Sequence, residues 1–152
     1  MNICLGGTFS PLHKGHRTLL KAAVAHLGPG ILYVGLTSDM FASKGRPGER
    51  LMAFSERKKA LERAICLTGC RQYRIVEISC ANGIADSSAY LDAVVVSRET
   101  YPQALTLNKA RRTKGLRGLS IITVNIVKNG QGAEIRASKI RQGVMDIEGR
   151  VR

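Results

Sequence analysis

Apolar residues along the chain gather into short runs at residues 3–5, 31–36, 73–78, 93–96 and 119–127, and the longer segments between them mix apolar with polar positions. Short runs rich in isoleucine, valine and leucine, bounded by glycine or polar residues, have the pattern of strands buried on both faces. Segments 16–26, 55–67 and 100–114, and a shorter one starting at Ser138, read as helices. In the second, Leu61, Ala64 and Ile65 form an apolar stripe and Ser55 is placed to cap the amino end. In the third, Lys114-Gly115 gives a basic last turn and a glycine stop. Strands and helices alternate through the chain. That order predicts an α/β fold with a mainly parallel five-stranded sheet and helices on both faces. No repeat, low-complexity tract or long linker divides the sequence, so residues 1–152 are read as one domain.

The first strand-to-helix junction carries the chemistry. Directly after Ile3-Cys4-Leu5 comes Gly6-Gly7-Thr8-Phe9-Ser10-Pro11-Leu12-His13-Lys14-Gly15-His16. Glycines at the end of a strand let the backbone approach a polyphosphate, and the free amides at the start of the next helix carry partial positive charge. His13 and His16 stand one helical turn apart, so a helix here would put both on one face, able to hold the same phosphate. The spacing fits neither Gly-x-x-x-x-Gly-Lys-Ser/Thr nor Gly-x-Gly-x-x-Gly, which removes the P-loop and the dinucleotide fingerprint. Two histidines without a nearby cysteine or carboxylate also make a poor zinc set. Positioned donors beside a glycine turn suit a transfer whose nucleophile arrives already ionised, because such a step needs no serine triad, thiolate or strong base. Lys14 can add charge there or sit solvated.

Composition narrows the setting. With 44% hydrophobic and 5% aromatic residues the core is aliphatic, and no apolar run reaches the ~20 residues of a membrane span, so the protein is read as cytoplasmic. Cys4, Cys66, Cys70 and Cys80 show no Cys-x-x-Cys spacing; Cys4 belongs to an apolar strand, and Cys66 and Cys70 on one helix turn would rarely meet disulfide geometry. The formal charge of +13 is spread over residues 57–59, 109–114 and 139–141 with no aromatic residues interleaved. Such a field suits anionic substrates. A basic nucleic-acid-binding module remains the alternative from another class, although the stacking platform it would use is missing.

On the residues from Gly6 to His16, the chain resembles the His-x-Gly-His nucleotidyltransferases, whose opening signature is Gly-Gly-Thr-Phe-Asp-Pro-x-His-x-Gly-His; Ser10 stands where that family has aspartate. Val34-Gly35-Leu36-Thr37-Ser38-Asp39, Ser55-Glu56-Arg57-Lys58-Lys59-Ala60-Leu61, and Val94-Val95-Val96-Ser97-Arg98-Glu99-Thr100-Tyr101-Pro102 with Asn108 look like the archaeal and eukaryotic type of phosphopantetheine adenylyltransferase. Ile135-Arg136-Ala137-Ser138-Lys139-Ile140-Arg141 falls where the family carries Ile-Ser-Ser-Thr-x-x-Arg, keeping Ser138 and Arg141 while Arg136 and Ala137 replace small hydroxyl residues. In the loop 79–85 only Gly83 matches.

The resemblance implies a Rossmann-like, doubly wound fold and transfer of the AMP part of ATP to 4′-phosphopantetheine, with pyrophosphate released and dephospho-coenzyme A formed. Mg2+ is expected because ATP carries it, and the lack of a carboxylate cluster in the sequence points to phosphates and water, more than the protein, as its ligands. The resemblance also implies catalytic roles for His13, His16 and Lys44, acceptor contacts from Thr8 and Lys44, and nucleotide contacts from Gly7, Thr8, Phe9, His16, Ser97, Glu99, Asn108, Ser138 and Arg141. Read on its own, Ser138 is a helix N-cap whose turn amides would form an anion site with Arg141 one turn along. Other small nucleotidyltransferases would share His13 and His16: a flavin-adenine dinucleotide synthetase, a nicotinamide-mononucleotide adenylyltransferase or a glycerol-phosphate cytidylyltransferase.

Overall fold

Every apolar run expected to be a strand is one in the computed structural model, which describes residues 1–152. The elements follow the order β1 (Ile3–Gly7), α1 (Lys14–Leu27), β2 (Leu32–Thr37), α2 (Asp39–Ser43), α3 (Phe54–Leu67), β3 (Tyr73–Ile78), β4 (Ala93–Ser97), α4 (Tyr101–Thr113), β5 (Ser120–Val124) and α5 (Ala137–Arg141). The strands form one five-stranded sheet in the order β3-β2-β1-β4-β5, and all neighbouring pairs are parallel.

Side chains alternate across the strands and so divide the core in two. Ile3, Leu5, Leu32, Val34, Leu36, Ala93 and Val95 face Leu20, Ala23 and Leu27 of α1 and Leu61, Ala64 and Ile65 of α3. Cys4 and Val94, with Tyr33, Val96 and Ile121 beside them, face Ala104 and Leu107 of α4. Helices therefore cover both faces, as the doubly wound reading requires.

The sheet changes direction between β1 and β4. There the pairing is short: β1 matches β2 over five residues from Ile3 to Gly7, but matches β4 only at Ile3↔Ala93 and Cys4↔Val94. Past that point the carboxyl ends of β1 and β4 part, and the crevice that opens is where ligands bind in open α/β sheets.

Two local expectations are corrected, and one further element is added. Strand β5 runs only over Ser120–Val124, and residues 125–127 of the expected 119–127 run leave the sheet without regular structure, ahead of an isolated bridge between Lys128 and Glu134. Helix α3 begins at Phe54 with Ala53 as its N-cap, and the Ala53 amide donates to Glu56 Oε2 at 3.1 Å, so Ser55 lies inside the first turn and caps nothing. Helix α2 was not expected from periodicity; Ser38 starts it, its Oγ accepting from the Phe41 amide at 3.1 Å.

Candidate active site

The chain leaves β1 through Gly7, Thr8 and Phe9 and enters α1 at His13. Phe9 takes a left-handed backbone (φ 52°) and its ring is buried. A Cβ on Gly7 would come within 3.2 Å of that ring, so glycine there leaves room for it. Its side chain belongs to the core, so a nucleotide contact from Phe9 falls to its main chain in the turn.

His13 is the N-cap of α1, its Nδ1 accepting from the Gly15 amide at 3.0 Å. His16, three residues on, accepts the His13 amide on its own Nδ1 at 3.2 Å. The two residues thus form a reciprocal capping box and their rings stack at 3.8 Å between centroids. Gly15 is fixed by this contact: a Cβ there would lie 2.9 Å from His13 Cε1.

Both rings are neutral at physiological pH. Burial, with Arg17 adding repulsion, pushes His13 down to about 4, and burial with His13 beside it pushes His16 down to about 3. Since each Nδ1 accepts an amide proton, the ring proton of each sits on Nε2. Neither Nε2 has a protein partner and neither is sealed from solvent. The pair is a set of two pre-aimed neutral N–H donors. The cap that starts the helix also fixes their tautomers.

Behind the turn lies Arg57, wholly buried at 0% exposure. Its Nη1 donates to Thr8 O at 3.1 Å, Thr37 O at 2.8 Å and Thr37 Oγ1 at 3.2 Å, its Nε donates to Met52 O at 2.8 Å, and its Nη2 reaches Asp39 at 2.8 Å. One guanidinium therefore ties the end of β1, the end of β2 and the start of α2 and α3. Thr37 Oγ1 in turn donates to Thr8 Oγ1 at 3.1 Å. In sequence Arg57 is the first of three consecutive cations and gives no sign of this role.

Two cavities meet at Thr37 and Phe41. The first, about 420 Å³, runs along the crevice past Gly6, Gly7, His16 and Ser97 to an apolar wall that includes Tyr33, Ile84, Ala104 and Leu107. Cys4 lies in that wall, where burial pushes its thiol up to about 12 and keeps it unreactive. The second, about 540 Å³, is lined by Thr8, Thr37, Phe41, Lys44, Gly45 and Arg46. Thus Gly7, His16 and Ser97 line the first cavity and Thr8 and Lys44 the second, with Thr37 and Phe41 lining both. Arg46 was not singled out from sequence.

Other expected contacts end elsewhere. Asn108 is buried, its Nδ2 donating to Leu119 O at 2.9 Å and its Oδ1 accepting from the Leu119 amide at 2.7 Å, so its amide fastens α4 to the start of β5 and does not face a ligand. Glu99 is held by Arg136 at 3.0 and 3.2 Å, and Arg136 also pairs with Glu134. Ser138 is not the cap of α5, since Arg136 occupies that position in extended conformation. Arg141 donates to Ser10 O at 2.5 Å and to Glu49 at 2.6 and 3.1 Å, which brings the end of α5 against the turn after β1. Ser10, at the family's aspartate position, is buried and its Oγ accepts from the Met52 amide at 2.8 Å.

The cytidylyltransferase-like family model matches residues 4–143. The chain is 44% identical over 148 residues to a phosphopantetheine adenylyltransferase of Thermococcus kodakarensis, covering 97% of this chain and 88% of that one. It is 40% identical over 144 residues to a phosphopantetheine adenylyltransferase of Pyrococcus abyssi, covering 95% and 90%. Among solved structures, a protein of unknown function from Archaeoglobus fulgidus superposes with a TM-score of 0.73 at 31% identity, over 90% of this chain and 100% of that one.

Proposed function

The chain belongs to the phosphopantetheine adenylyltransferase family, and from that premise we propose that it transfers the adenylyl group of ATP to 4′-phosphopantetheine, forming dephospho-coenzyme A and pyrophosphate. The observation that carries the mechanism is the His13–His16 pair, with the neutral Nε2–H of His16 without a protein partner where its ring lines the β1/β4 crevice and His13 stacked behind it. In this reading an oxygen of the acceptor's phosphate attacks the α-phosphorus of ATP. A new P–O bond forms as the bond from the α-phosphorus to the bridging oxygen breaks, and pyrophosphate leaves with that electron pair. No proton has to be taken by the protein, because the acceptor phosphate is already an anion near neutral pH.

His16, with His13 stacked on it, donates to non-bridging oxygens of the α-phosphate as charge builds there. Thr8 and Lys44 orient the acceptor phosphate in the second cavity. Ser97 and the backbone at Gly7 serve the nucleotide, Arg141 joins them only by leaving Glu49, and the apolar wall takes uncharged parts of the bound molecules. No three His, Cys, Asp or Glu side chains gather into a cation cage, so Mg2+ is proposed to enter with ATP, held by phosphate oxygens and water. It would neutralise charge on the phosphates.

No helix is long and apolar enough to cross a membrane. The reading places the enzyme in the cytoplasm, where its free thiols stay reduced.

The test is pyrophosphate release with ATP and Mg2+ beside 4′-phosphopantetheine, flavin mononucleotide, nicotinamide mononucleotide or glycerol phosphate. Turnover is expected with 4′-phosphopantetheine and much slower with the others, and slower again when CTP replaces ATP. Equal or faster turnover with another acceptor would overturn the substrate assignment.

A further inference from the structure

The second cavity holds positive charge that nothing in the protein neutralises. Lys44 and Arg46 both line it, beside the hydroxyls of Thr8 and Thr37, and no carboxylate lines it. The segment from Ser38 to Arg50 contains two acids, and both are committed elsewhere: Asp39 to Arg57 at 2.8 Å and Glu49 to Arg141 at 2.6 Å. Neither Lys44 nor Arg46 takes part in any ion pair of the fold.

Arg46 is nevertheless held in place. Its Nη1 donates to Ala42 O, a carbonyl of α2, at 2.6 Å and leans toward Thr8 Oγ1 at 3.4 Å. Its Nε and Nη2 make no hydrogen bond within the protein. A guanidinium anchored through one nitrogen, with the other two donors free, presents the edge that matches two oxygens of one phosphate. Two like charges set around one cavity cost free energy until a multivalent anion enters.

We infer that Arg46 is a specificity-determining residue, one that grips the acceptor's terminal phosphate jointly with Lys44 and selects phosphorylated acceptors over their unphosphorylated counterparts. The inference rests on the transfer reaction proposed above and adds a residue to it. Arg46 reads the phosphate's geometry with its fork, whereas Lys44 supplies a point charge. ATP makes no use of Arg46 in this assignment.

The experiment measures binding of 4′-phosphopantetheine and of unphosphorylated pantetheine by calorimetry, together with KM for ATP, in the wild type and in Arg46→Gln and Arg46→Lys. Both variants keep a side-chain donor at this position, and Tm measured on each checks that the end of α2 stays folded without the bond to Ala42 O. In Arg46→Gln the affinity for 4′-phosphopantetheine should fall by roughly 10- to 100-fold, as for loss of a charge-assisted pair of hydrogen bonds, with pantetheine affinity and KM for ATP unchanged. Arg46→Lys should fall in between. The inference is overturned if 4′-phosphopantetheine binding is unchanged, if both acceptors weaken equally, or if KM for ATP moves instead. A wild type that binds no acceptor would sink the transfer reading. The cavity is then tested with inorganic phosphate, which must bind more weakly to Arg46→Gln than to wild type for the assignment to survive.

Discussion

Replacing His16 separates its two jobs. His16→Ala removes the Nε2–H aimed into the crevice and also the Nδ1 that accepts the His13 amide at 3.2 Å. The first loss is that of one pre-aimed donor to a developing anion, which costs about 3 kcal/mol in the barrier, or roughly 100-fold in kcat. The second is a helix-capping contact worth about 1 kcal/mol, a few degrees in Tm for a chain of this size. His16→Gln divides the effects. Glutamine three residues after an N-cap can still accept the cap amide, so Tm should recover, but its own amide donor does not reach the Nε2 position and kcat should stay low.

The pH profile adds a sign. With His13 down at about 4 and His16 at about 3, both rings remain neutral from about pH 5 upward, so neither should shape activity between about pH 6 and 9. The acceptor phosphate loses its second proton near ~6, and kcat/KM should therefore rise with pH through that point and then level. A mechanism that needed imidazolium would fall instead as pH rises past the ordinary histidine value of about 6.5. A falling limb near there that vanished in His16→Gln, or a His16→Ala variant with wild-type kcat, would refute the neutral-donor mechanism.

Arg57→Lys keeps a charge but cannot serve Met52 O, Thr8 O, Thr37 O and Asp39 together, so urea denaturation should show a loss of about 2–4 kcal/mol, with KM for 4′-phosphopantetheine raised as Thr8 and Thr37 loosen. Asn108→Ala should lower stability by about 2 kcal/mol through its two lost bonds to Leu119 while KM for ATP stays at the wild-type value; a selective rise in KM for ATP would restore the nucleotide role that the geometry removes. Acid should weaken the fold through the histidines. Their folded values lie below the ordinary one, so the unfolded chain binds more protons below about pH 6.5; stability is complete above that pH and declines as pH falls toward about 4 and then 3. Tm measured from pH 8 to pH 4 should fall less steeply in His13→Gln than in wild type.

The strands were legible because a parallel sheet covered on both faces demands uninterrupted apolar runs, and those stand out against the polar segments between them. Helix α2, five residues long, is too short to display a period; its one signal was Ser38 as a cap. Serine misled twice. Ser55 and Ser138 both lie inside first turns, and for α3 the better signal was Glu56 placed three residues after Ala53. The glycine turn and its two histidines were read from local sequence because they act on neighbours only a few residues away. Arg57 and Arg46 were not, since a buried and a cavity-lining arginine look alike in sequence and differ only in what distant segments bring to them. Asn108 shows the converse: a matching residue type did not carry its role, because the role depends on Leu119.

The charge of +13 is sorted in the site by what each cation meets. Arg57 is consumed by backbone carbonyls and Asp39, so it sets the shape of the phosphate turn without reaching a ligand. Arg141 and Arg136 are held by Glu49 and Glu99, so a nucleotide phosphate that engages Arg141 must compete with a carboxylate. Lys44 and Arg46 have no such competitor. At the centre, His13 and His16 carry no charge. A cation there would bind the resting α-phosphate tightly as well as the transition state, and uniform binding of that kind does not raise kcat. Neutral donors bind the resting phosphate more weakly and gain most as negative charge accumulates on its oxygens. In the proposed mechanism, burial of the two rings, which lowers their proton affinity, therefore also favours the transition state over the ground state. The open cations of the second cavity remain free to gather the acceptor.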